Sequence, residues 1–335
     1  MLNYILRRLF FMIFILLGIS TLLFFMSHIL PANPAQLAAG LGATAEQVER
    51  LRELMGLNKP LYTQYLRYMG SLSRGDLGTS MFTHRPVAKD LTEYLPATLE
   101  LAVVTMFIAA LLGIFLGTFS ATKRGRLPDF VIRLFVNAGM GMPSFWTALL
   151  LQLVFYKFLG ILPATGRMSV FLTPPNHITG SYLLDSVLTA NWQVLGSCLT
   201  HMILPVTALI LGRLAVITRM TRVKVLQVLD EDYIQVARAK GVLERVVVYK
   251  HALRNGLIPI VTILGLQLSW LLGGTVLVET VFAWPGIGRY AANSILSFDF
   301  PAITAVAMAS AVVFSVVNLG IDLLYVLLNP RIRYT

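Results

Sequence analysis

The sequence predicts an all-α polytopic membrane protein with six transmembrane helices. Of its 335 residues, 56% are hydrophobic and only 13% are charged, and the mean hydropathy is +0.74. Soluble domains carry about 25% charged residues. Six windows contain no Lys, Arg, Asp or Glu, and each has the length of about 20 residues that crosses the hydrocarbon core. They are Leu9–Leu30, Leu101–Thr122, Leu134–Tyr156, Ala190–Gly212, Asn255–Val278 and Phe300–Ile321.

The first window is predicted to be an uncleaved membrane span. Arg7 and Arg8 precede Leu9–Leu30, and a signal peptide shows the same order of charge. The apolar core of a signal peptide is shorter, however, and ends in small residues at a cleavage site. The length of this run therefore favours a span.

Residues 31–96 predict a small helical insertion on the outer side of the membrane. A helix is predicted over Glu46–Met55, ending at Gly56, and a second from Leu61 to about Leu72. Residues 75–80 have the composition of a turn-rich loop. The segment is too small for a catalytic domain, so we expect a cap over a pore mouth or a docking surface. Residues 1–335 as a whole are expected to form a single membrane domain.

Helix-breaking residues lie inside or at the edges of the later windows. They are Pro143, Pro205, Pro259 and the pair Gly273-Gly274. Within a membrane, the backbone groups that such residues free must be satisfied by neighbouring helices or by a wet cavity. Kinked helices that line a pathway and ordinary kinks in a packed bundle both fit this pattern.

The distribution of charge predicts the orientation. If Arg7 and Arg8 lie inside, the inner segments hold 17 of the 27 Lys and Arg residues and six of the 16 acids, so all of the net charge of +11 lies inside. The positive-inside rule then places both termini and residues 219–258 in the cytoplasm. Orientation accounts for the basic excess, so no nucleic-acid partner is expected.

Residues 219–258 form a polar segment between the fourth and fifth windows. Asp232 is predicted to cap a short helix, Tyr233–Lys240, which Gly241 ends in a left-handed conformation. A second helix is predicted from Leu243 to about Arg254, ended by Asn255-Gly256 and Pro259. One face of the second helix is predicted to carry Val242, Val246, Tyr249 and Leu253, with Glu244, Arg245, Lys250 and Arg254 elsewhere. Two readings stay open on pattern alone: a docking element, or a basic loop that only obeys the positive-inside rule.

The same segment resembles the cytoplasmic EAA loop of ABC-importer permeases, in particular the dipeptide/oligopeptide/nickel branch. The resemblance is carried by Tyr233–Gly241, His251–Asn255 and Pro259. Gln235 stands where the general motif has Glu, and His251-Ala-Leu-Arg254 replaces the usual Ile-x-Leu-Pro ending. Both departures are similar to the peptide branch. Residues 1–8, 279–289 and 321–333 also resemble that branch, so the resemblance covers essentially the whole chain.

The resemblance implies a permease of the type I ABC-importer fold in the bacterial cytoplasmic (inner) membrane. It implies a second homologous permease subunit, two ATPase subunits that bind ATP and Mg, a soluble substrate-binding protein, surrounding lipid, and no cofactor on this chain. Short peptides are the expected substrate, with nickel, a metallophore or another small solute as alternatives. Residues implied to contact an ATPase are Asp232, Tyr233, Gln235, Ala237, Arg238, Ala239, Lys240, Gly241, Arg245 and His251.

The sequence lacks the patterns of enzymes. It has no phosphate-binding loop and no nucleophile elbow, its five histidines are scattered without ligand spacing, and its single cysteine, Cys198, lies in an apolar run. An intramembrane enzyme is therefore disfavoured. A stand-alone secondary transporter is also disfavoured, because such carriers place ionisable residues near mid-membrane and these windows have none.

Two further features carry expectations. Trp284-Pro285-Gly286 is predicted to be a turn with its aromatic ring at the outer water interface. Arg213 and Asp322 directly follow the inner ends of the windows Ala190–Gly212 and Phe300–Ile321, and we expect either an ion pair between them or separate snorkelling of each to the headgroups.

Overall fold

The computed structural model describes residues 2–29, 34–39 and 42–328, and the residues it describes are almost entirely helical. The helices are α1 (Leu2–Ile29), α2 (Pro34–Ala39), α3 (Ala45–Met55), α4 (Leu61–Ser73), α5 (Val87–Thr122), α6 (Leu127–Met140), α7 (Ser144–Leu151), α8 (Tyr182–Leu188), α9 (Trp192–Leu229), α10 (Asp232–Ala239), α11 (Glu244–Val246), α12 (Arg254–Gly274), α13 (Val276–Val281), α14 (Ile287–Leu296) and α15 (Phe300–Leu328). Two π-helical segments follow α7 and α11, at Gln152–Phe158 and Val247–Leu253.

The predicted spans correspond to long apolar helices. Among the described residues, Leu6–Met26, Val87–Thr122, Trp192–Leu229 and Phe300–Leu323 are each long and apolar enough to cross a membrane. Two bent pairs bring the number to six if each is one span: Leu127–Met140 with Ser144–Phe158, bent by 100°, and Glu244–Leu257 with Pro259–Leu271, bent by 56°. The prediction of an all-α polytopic protein is therefore confirmed.

Prolines mark both bends. Pro143 directly precedes α7, and Pro259 lies at the break between the two halves of the second pair. A proline has no N–H to donate and its ring clashes with the preceding turn, which bends or ends a helix. Pro205 is different, because α9 continues through it from Trp192 to Leu229.

The chain divides into two compact units. The first comprises residues 1–96 and 286–313, and the second comprises residues 97–285 and 314–335. The small helices of the first unit form as the sequence predicts. Thr44 and Gln47 make a capping box at the start of α3, and Gly56 ends that helix with a φ of 71°.

The first unit is held by aromatic contacts and by two buried carboxylates. On α1, Phe24 packs against Tyr65 and Tyr68 of α4, with ring centroids 5.3 and 5.5 Å apart. Asp90 accepts hydrogen bonds from the hydroxyls of Thr83 and Tyr290, at 2.6 and 3.0 Å. In the same way, Asp299 accepts the hydroxyl of Ser80. These contacts fix the loop between α4 and α5.

In the second unit α9 is the central helix and packs against α6, α7, α8 and α12. It also lies close to the part of α5 in this unit. A Cβ atom at Gly113 would come within 2.6 Å of the Ile217 side chain, and one at Gly117 would come within 2.7 Å of the Thr218 carbonyl oxygen. Small residues at this four-residue spacing allow two helices in a membrane to approach closely.

The turn around Trp284 is not an interface anchor, and that prediction is wrong. The Trp284 ring is fully buried, and its Nε1 donates a 3.0 Å hydrogen bond to the Ala97 carbonyl oxygen. Nearby, the Glu279 carboxylate is also buried and accepts a 2.8 Å hydrogen bond from Thr98. Since a buried indole N–H needs an acceptor, the Ala97 carbonyl of α5 supplies one inside the protein.

A loop of the second unit is held by one buried ion pair. Arg167 donates through Nε and Nη2 to Glu100 of α5, and it lies 3.8 Å from the centroid of the Tyr182 ring. The same carboxylate accepts the Ser181 hydroxyl at 3.0 Å and the Leu183 N–H at 2.6 Å. Removing one partner of such a buried pair costs about 3–5 kcal/mol, so this contact fixes the loop before α8.

Candidate coupling site

The predicted docking helix forms as α10, one residue earlier than expected. Glu231 is the N-cap residue and makes no side-chain cap, while Asp232 is the first residue of the helix. The prediction that Asp232 caps the helix is therefore wrong. Its carboxylate instead lies in the first turn, where a negative charge is favourable for the helix dipole.

The end of α10 is a Schellman motif, as the glycine predicts. Gly241 has a φ of 75°, and its N–H donates to the Arg238 carbonyl at 2.9 Å. The Val242 N–H donates to the Ala237 carbonyl at 3.2 Å. Glycine adopts this left-handed conformation without steric cost, which explains the sharp end of the helix.

The helix after Gly241 differs from the prediction in its end and in its buried face. It begins at Glu244 and continues through the π-helical segment Val247–Leu253 directly into α12, so it does not end at Asn255-Gly256. The buried residues are Val247, Val248 and Ala252, whereas the side chain of Tyr249 is 51% exposed. Of the predicted face, Val242 and Leu253 do pack against this buried set, so the prediction is wrong for Tyr249 and incomplete for the rest. A π-helical segment has more residues per turn than an α-helix, so a pattern read at the α-helical period misplaces part of the buried face.

A hydrophobic cluster, called here the anchor cluster, holds α10 against the helices that lead to the membrane. Its buried members are Ala121, Val225, Leu229, Ile234, Val247, Val248 and Ala252. Ile234 is the member from α10, and it is fully buried. Its neighbours come from the end of α5, the end of α9 and the π-helical segment. The docking helix is therefore attached to these elements mainly through one side chain.

Two polar contacts close the site. Arg238 donates to Glu244 through Nε at 3.2 Å and through Nη2 at 2.7 Å. This hydrogen bond to Glu244 raises the pKa of the Arg238 guanidinium, which stays charged at any physiological pH. The second contact joins Asn255 Nδ2 to the Tyr233 hydroxyl at 2.7 Å and ties α10 to the start of α12.

The residues predicted to meet an ATPase lie mostly on the free surface of this element. Two are half-buried, Ala237 and His251. The exposed ones are Asp232, Tyr233, Gln235, Arg238, Ala239, Lys240, Gly241 and Arg245. Sequence reasoning missed Val236 and Leu243, which are 53% and 75% exposed. Exposed aliphatic side chains beside an alanine and a glycine give the loop a small apolar surface bordered by charges.

A buried carboxylate next to the anchor cluster was also missed. Asp129 of α6 is 1% exposed and accepts two 2.8 Å hydrogen bonds from Arg222 of α9. The Ser120 hydroxyl and the Gly125 N–H donate to the same carboxylate, at 2.6 and 3.1 Å. The sequence did offer one indication of this contact, because Asp129 is a single acid, directly after Pro128, in a stretch that is otherwise basic. The carboxylate joins the end of α5, the start of α6 and α9.

The site offers no ligand set for a metal ion. Within residues 2–29, 34–39 and 42–328, no group of three or more His, Cys, Asp or Glu side chains is placed to hold one. What this site presents is a rigid, partly apolar surface on a short helix, and such surfaces bind grooves in other proteins.

Comparison with known proteins gives the family. The sequence profile described as "Binding-protein-dependent transport system inner membrane component" matches residues 113–334, and the corresponding N-terminal profile matches residues 1–102. The chain belongs to this family. It is thus an inner-membrane component of a binding-protein-dependent transport system, and its function is transport.

Members of the family are similar to the chain over its whole length. The probable D,D-dipeptide transport system permease protein DdpB of Escherichia coli K12 is 44% identical, covering 96% of this chain and 94% of the relative. The dipeptide transport system permease protein DppB of Alkalihalophilus pseudofirmus is 42% identical over 100% of both chains. The glutathione transport system permease protein GsiC of E. coli O6:H1 is 40% identical, again over 100% of both.

A solved structure confirms the predicted fold class. A chain from the inward-facing MetNI methionine ABC transporter superposes with a TM-score of 0.53 at 16% sequence identity. The match covers 70% of this chain and 93% of that chain. At this identity the similarity shows the fold, which is that of an ABC-importer permease.

Proposed function

We propose that this chain forms half of the translocation pathway of an ATP-driven importer of short peptides. The observation that carries the substrate class is the full-length similarity, at 42%, to a permease named for dipeptide transport. Because the match extends over 100% of both chains, it includes the spans as well as the coupling loop. The relatives named for D,D-dipeptide and glutathione transport support the same chemical class.

The partners follow from this proposal. A second homologous permease subunit supplies the other half of the pathway, a soluble binding protein delivers substrate, and two ATPase subunits bind the coupling loops. ATP and Mg are bound by those ATPases, and this chain carries no cofactor and no catalytic residue. The chain contacts membrane lipid and no nucleic acid, since its basic excess lies in the segments assigned to the cytoplasm.

The coupling step is assigned to α10. The exposed residues of the loop, from Asp232 to Gly241 together with Arg245 and His251, seat in a groove of the ATPase. Small side chains at Ala237 and Ala239 allow the close approach that this requires. Ile234 lies on the opposite side in the anchor cluster, so a push on α10 acts on α5, on α9 and on the π-helical segment that leads into α12.

The mechanism is alternating access. ATP-driven closure of the two ATPases moves both coupling loops and opens the pathway to the outside, and hydrolysis resets the inward-open state. For this cycle the coupling loop and both termini lie in the cytoplasm, and residues 31–96 lie outside.

Transport in reconstituted vesicles tests the proposal. The chain is co-expressed with its candidate partner permease, ATPases and binding protein, and uptake of a radiolabelled dipeptide is measured with ATP inside the vesicles. We expect ATP-dependent uptake that an unlabelled dipeptide competes and that nickel does not. ATP-dependent uptake of nickel or a metallophore, without dipeptide competition, would contradict the peptide assignment.

A variant pair tests the coupling assignment in the same assay. Ala237→Glu places a carboxylate in a contact that is small and apolar, and an unpaired buried charge costs several kcal/mol. Uptake is expected to fall sharply while the variant reaches the membrane normally. Glu244→Ala is the matched control, because it alters an exposed ion pair in the same loop that contributes at most about 1 kcal/mol.

A further inference from the structure

A cavity of about 440 Å³ lies in the first unit. It is bounded by one face of α4, by the loops that flank α4, by the first turns of α15 and by Phe24 of α1. Its size falls in the range of small-molecule sites in proteins. The proposed transport cycle assigns no role to this cavity.

The lining of the cavity is amphipathic. Phe24, Leu72, Leu77 and Met308 are among the apolar residues that line it, and Phe24 is only 7% exposed. Lys59 and Arg67 line it with exposed side chains. In the part of the chain that the structure describes, neither of these two cations has an ion-pair partner. The cavity therefore combines an apolar interior with positive charge that the protein itself does not neutralise.

One residue of the lining also has a buried polar atom without a partner. The Tyr68 hydroxyl is buried and makes no hydrogen bond within the described residues. Burial raises the pKa of Tyr68 to about 12, with a smaller contribution from the neighbouring Tyr65, so the hydroxyl stays protonated and able to donate. A buried hydroxyl without a partner is unfavourable, and a ligand that accepts a hydrogen bond would satisfy it.

The position of the cavity relates it to the lipid bilayer. Phe24 lies near the end of the candidate span Leu6–Met26, and Phe300 begins the candidate span Phe300–Leu323. From Phe300 to Met308 the helix rises about 12 Å at 1.5 Å per residue. The interfacial layer of each leaflet is about 5–8 Å thick, so this depth covers a headgroup and the first carbons of an acyl chain.

We propose that this cavity binds one anionic phospholipid, with its phosphate at Lys59, Arg67 and the Tyr68 hydroxyl and its acyl chain along the apolar residues of α1 and α15. Arg and Lys are the usual partners of phosphate, and basic pockets at the ends of membrane helices bind anionic headgroups. Asp76 also lines the cavity, but its Oδ1 already accepts a 2.9 Å hydrogen bond from the Gly78 N–H. The remaining balance of two cations to one acid favours an anionic headgroup over a zwitterionic one.

Native mass spectrometry of the delipidated full-length chain tests this proposal. The probes are short-chain phosphatidylglycerol, which is anionic, and phosphatidylcholine of the same acyl length, which is zwitterionic. We expect the wild-type protein to prefer phosphatidylglycerol by at least about tenfold, equivalent to about 1.4 kcal/mol. Equal affinity for the two lipids in the wild-type protein would overturn the proposal.

Matched variants locate the site. The double variant Lys59→Gln/Arg67→Gln is expected to lose the preference for the anionic lipid. The control Arg50→Gln/Arg74→Gln removes two positive charges from the same segment outside the cavity, and it is expected to keep the preference. If both double variants lose the preference equally, the lipid responds only to net charge and the site is refuted.

Tyr68→Phe separates a binding role from a structural one. The substitution removes a buried hydroxyl that has no partner among the described residues, so the lipid-free protein should fold and should melt at or slightly above the wild-type temperature. Loss of one hydrogen bond to phosphate should weaken phosphatidylglycerol binding by about two- to tenfold. Unchanged affinity would overturn the role of the hydroxyl. Displacement of the lipid by a dipeptide would show that the cavity is a peptide site instead.

Discussion

Ile234→Ala is expected to detach the docking helix from the membrane helices without removing the surface that meets an ATPase. The Ile234 side chain is fully buried in the anchor cluster, and truncation of a buried isoleucine costs about 2–5 kcal/mol. The other side-chain tethers of α10 described above are the exposed Arg238–Glu244 pair and the Tyr233–Asn255 hydrogen bond. An exposed pair contributes about 0.2–1 kcal/mol, so the loss of Ile234 dominates.

Hydrogen exchange measures this loss directly. A change of 2 kcal/mol corresponds to a factor of about 30 in an equilibrium constant, so amides of α10 should exchange at least about 30 times faster in Ile234→Ala. Val236→Ala is the matched control, because it truncates a 53% exposed side chain of the same helix and should leave the exchange of α10 unchanged.

ATPase co-purification and stimulated ATP hydrolysis should also distinguish the two variants. With Ile234→Ala, ATPase subunits should still co-purify, but stimulation of hydrolysis by the loaded binding protein and uptake should both fall. With Val236→Ala, co-purification itself should weaken, because an exposed contact is lost. If Ile234→Ala leaves both exchange in α10 and stimulated hydrolysis at wild-type values, the anchor cluster does not transmit the movement.

Three further predictions address the loop, the orientation and the buried charges. Gly241→Val should lower uptake while the variant reaches the membrane at normal levels. No atom lies within 4 Å of the added Cβ, but a β-branched residue at a φ of 75° costs roughly 1–2 kcal/mol of backbone strain. Uptake at the wild-type rate would contradict this prediction. Cysteine at Pro60 should react with an impermeant maleimide in whole cells and cysteine at Lys240 should not, and the reverse pattern would refute the orientation. If Arg213 and Asp322 compensate each other, a double-mutant cycle of their alanine variants should show non-additive stability changes. Additive changes would contradict the pairing and would mean that Arg213 is accommodated separately. The Arg213 Nε is buried without a hydrogen-bond partner among the described residues, and its Nη2 would lie 3.1 Å from a Cβ atom added at Gly274.

The spans could be read from the sequence because their signal is compositional. A window without charge that is long enough to cross a bilayer has few alternatives, and helices cover the windows at Leu101–Thr122 and Phe300–Ile321 throughout. Local caps were readable for a similar reason. Gly56 and Gly241 each end a helix in the left-handed conformation, as a glycine after a helical pattern predicts.

Features that depend on distant partners could not be read. Trp284 has the composition of an interface anchor, and only the fold brings the Ala97 carbonyl to its indole nitrogen. The π-helical segment at Val247–Leu253 changes which residues are buried, and no hydrophobic periodicity in the sequence predicts it. On α10, eight residues are too few for a periodic pattern to distinguish the buried Ile234 from the exposed Val236.

The buried carboxylate of Asp129 links α6 to the part of α9 that contributes to the anchor cluster. On α9, Arg222 and Val225 are three residues apart and therefore lie on the same side of the helix. Val225 is packed with Ile234 in the anchor cluster, and Arg222 is bound to Asp129 at the start of α6. A side chain that accepts two hydrogen bonds from one guanidinium fixes both distance and direction, so α6 cannot shift against α9 without breaking the pair. If α10 moves, a contiguous set of contacts leads from it through the buried anchor cluster and the partly buried Arg222–Asp129 pair to α6, which ends near the bend at Pro143.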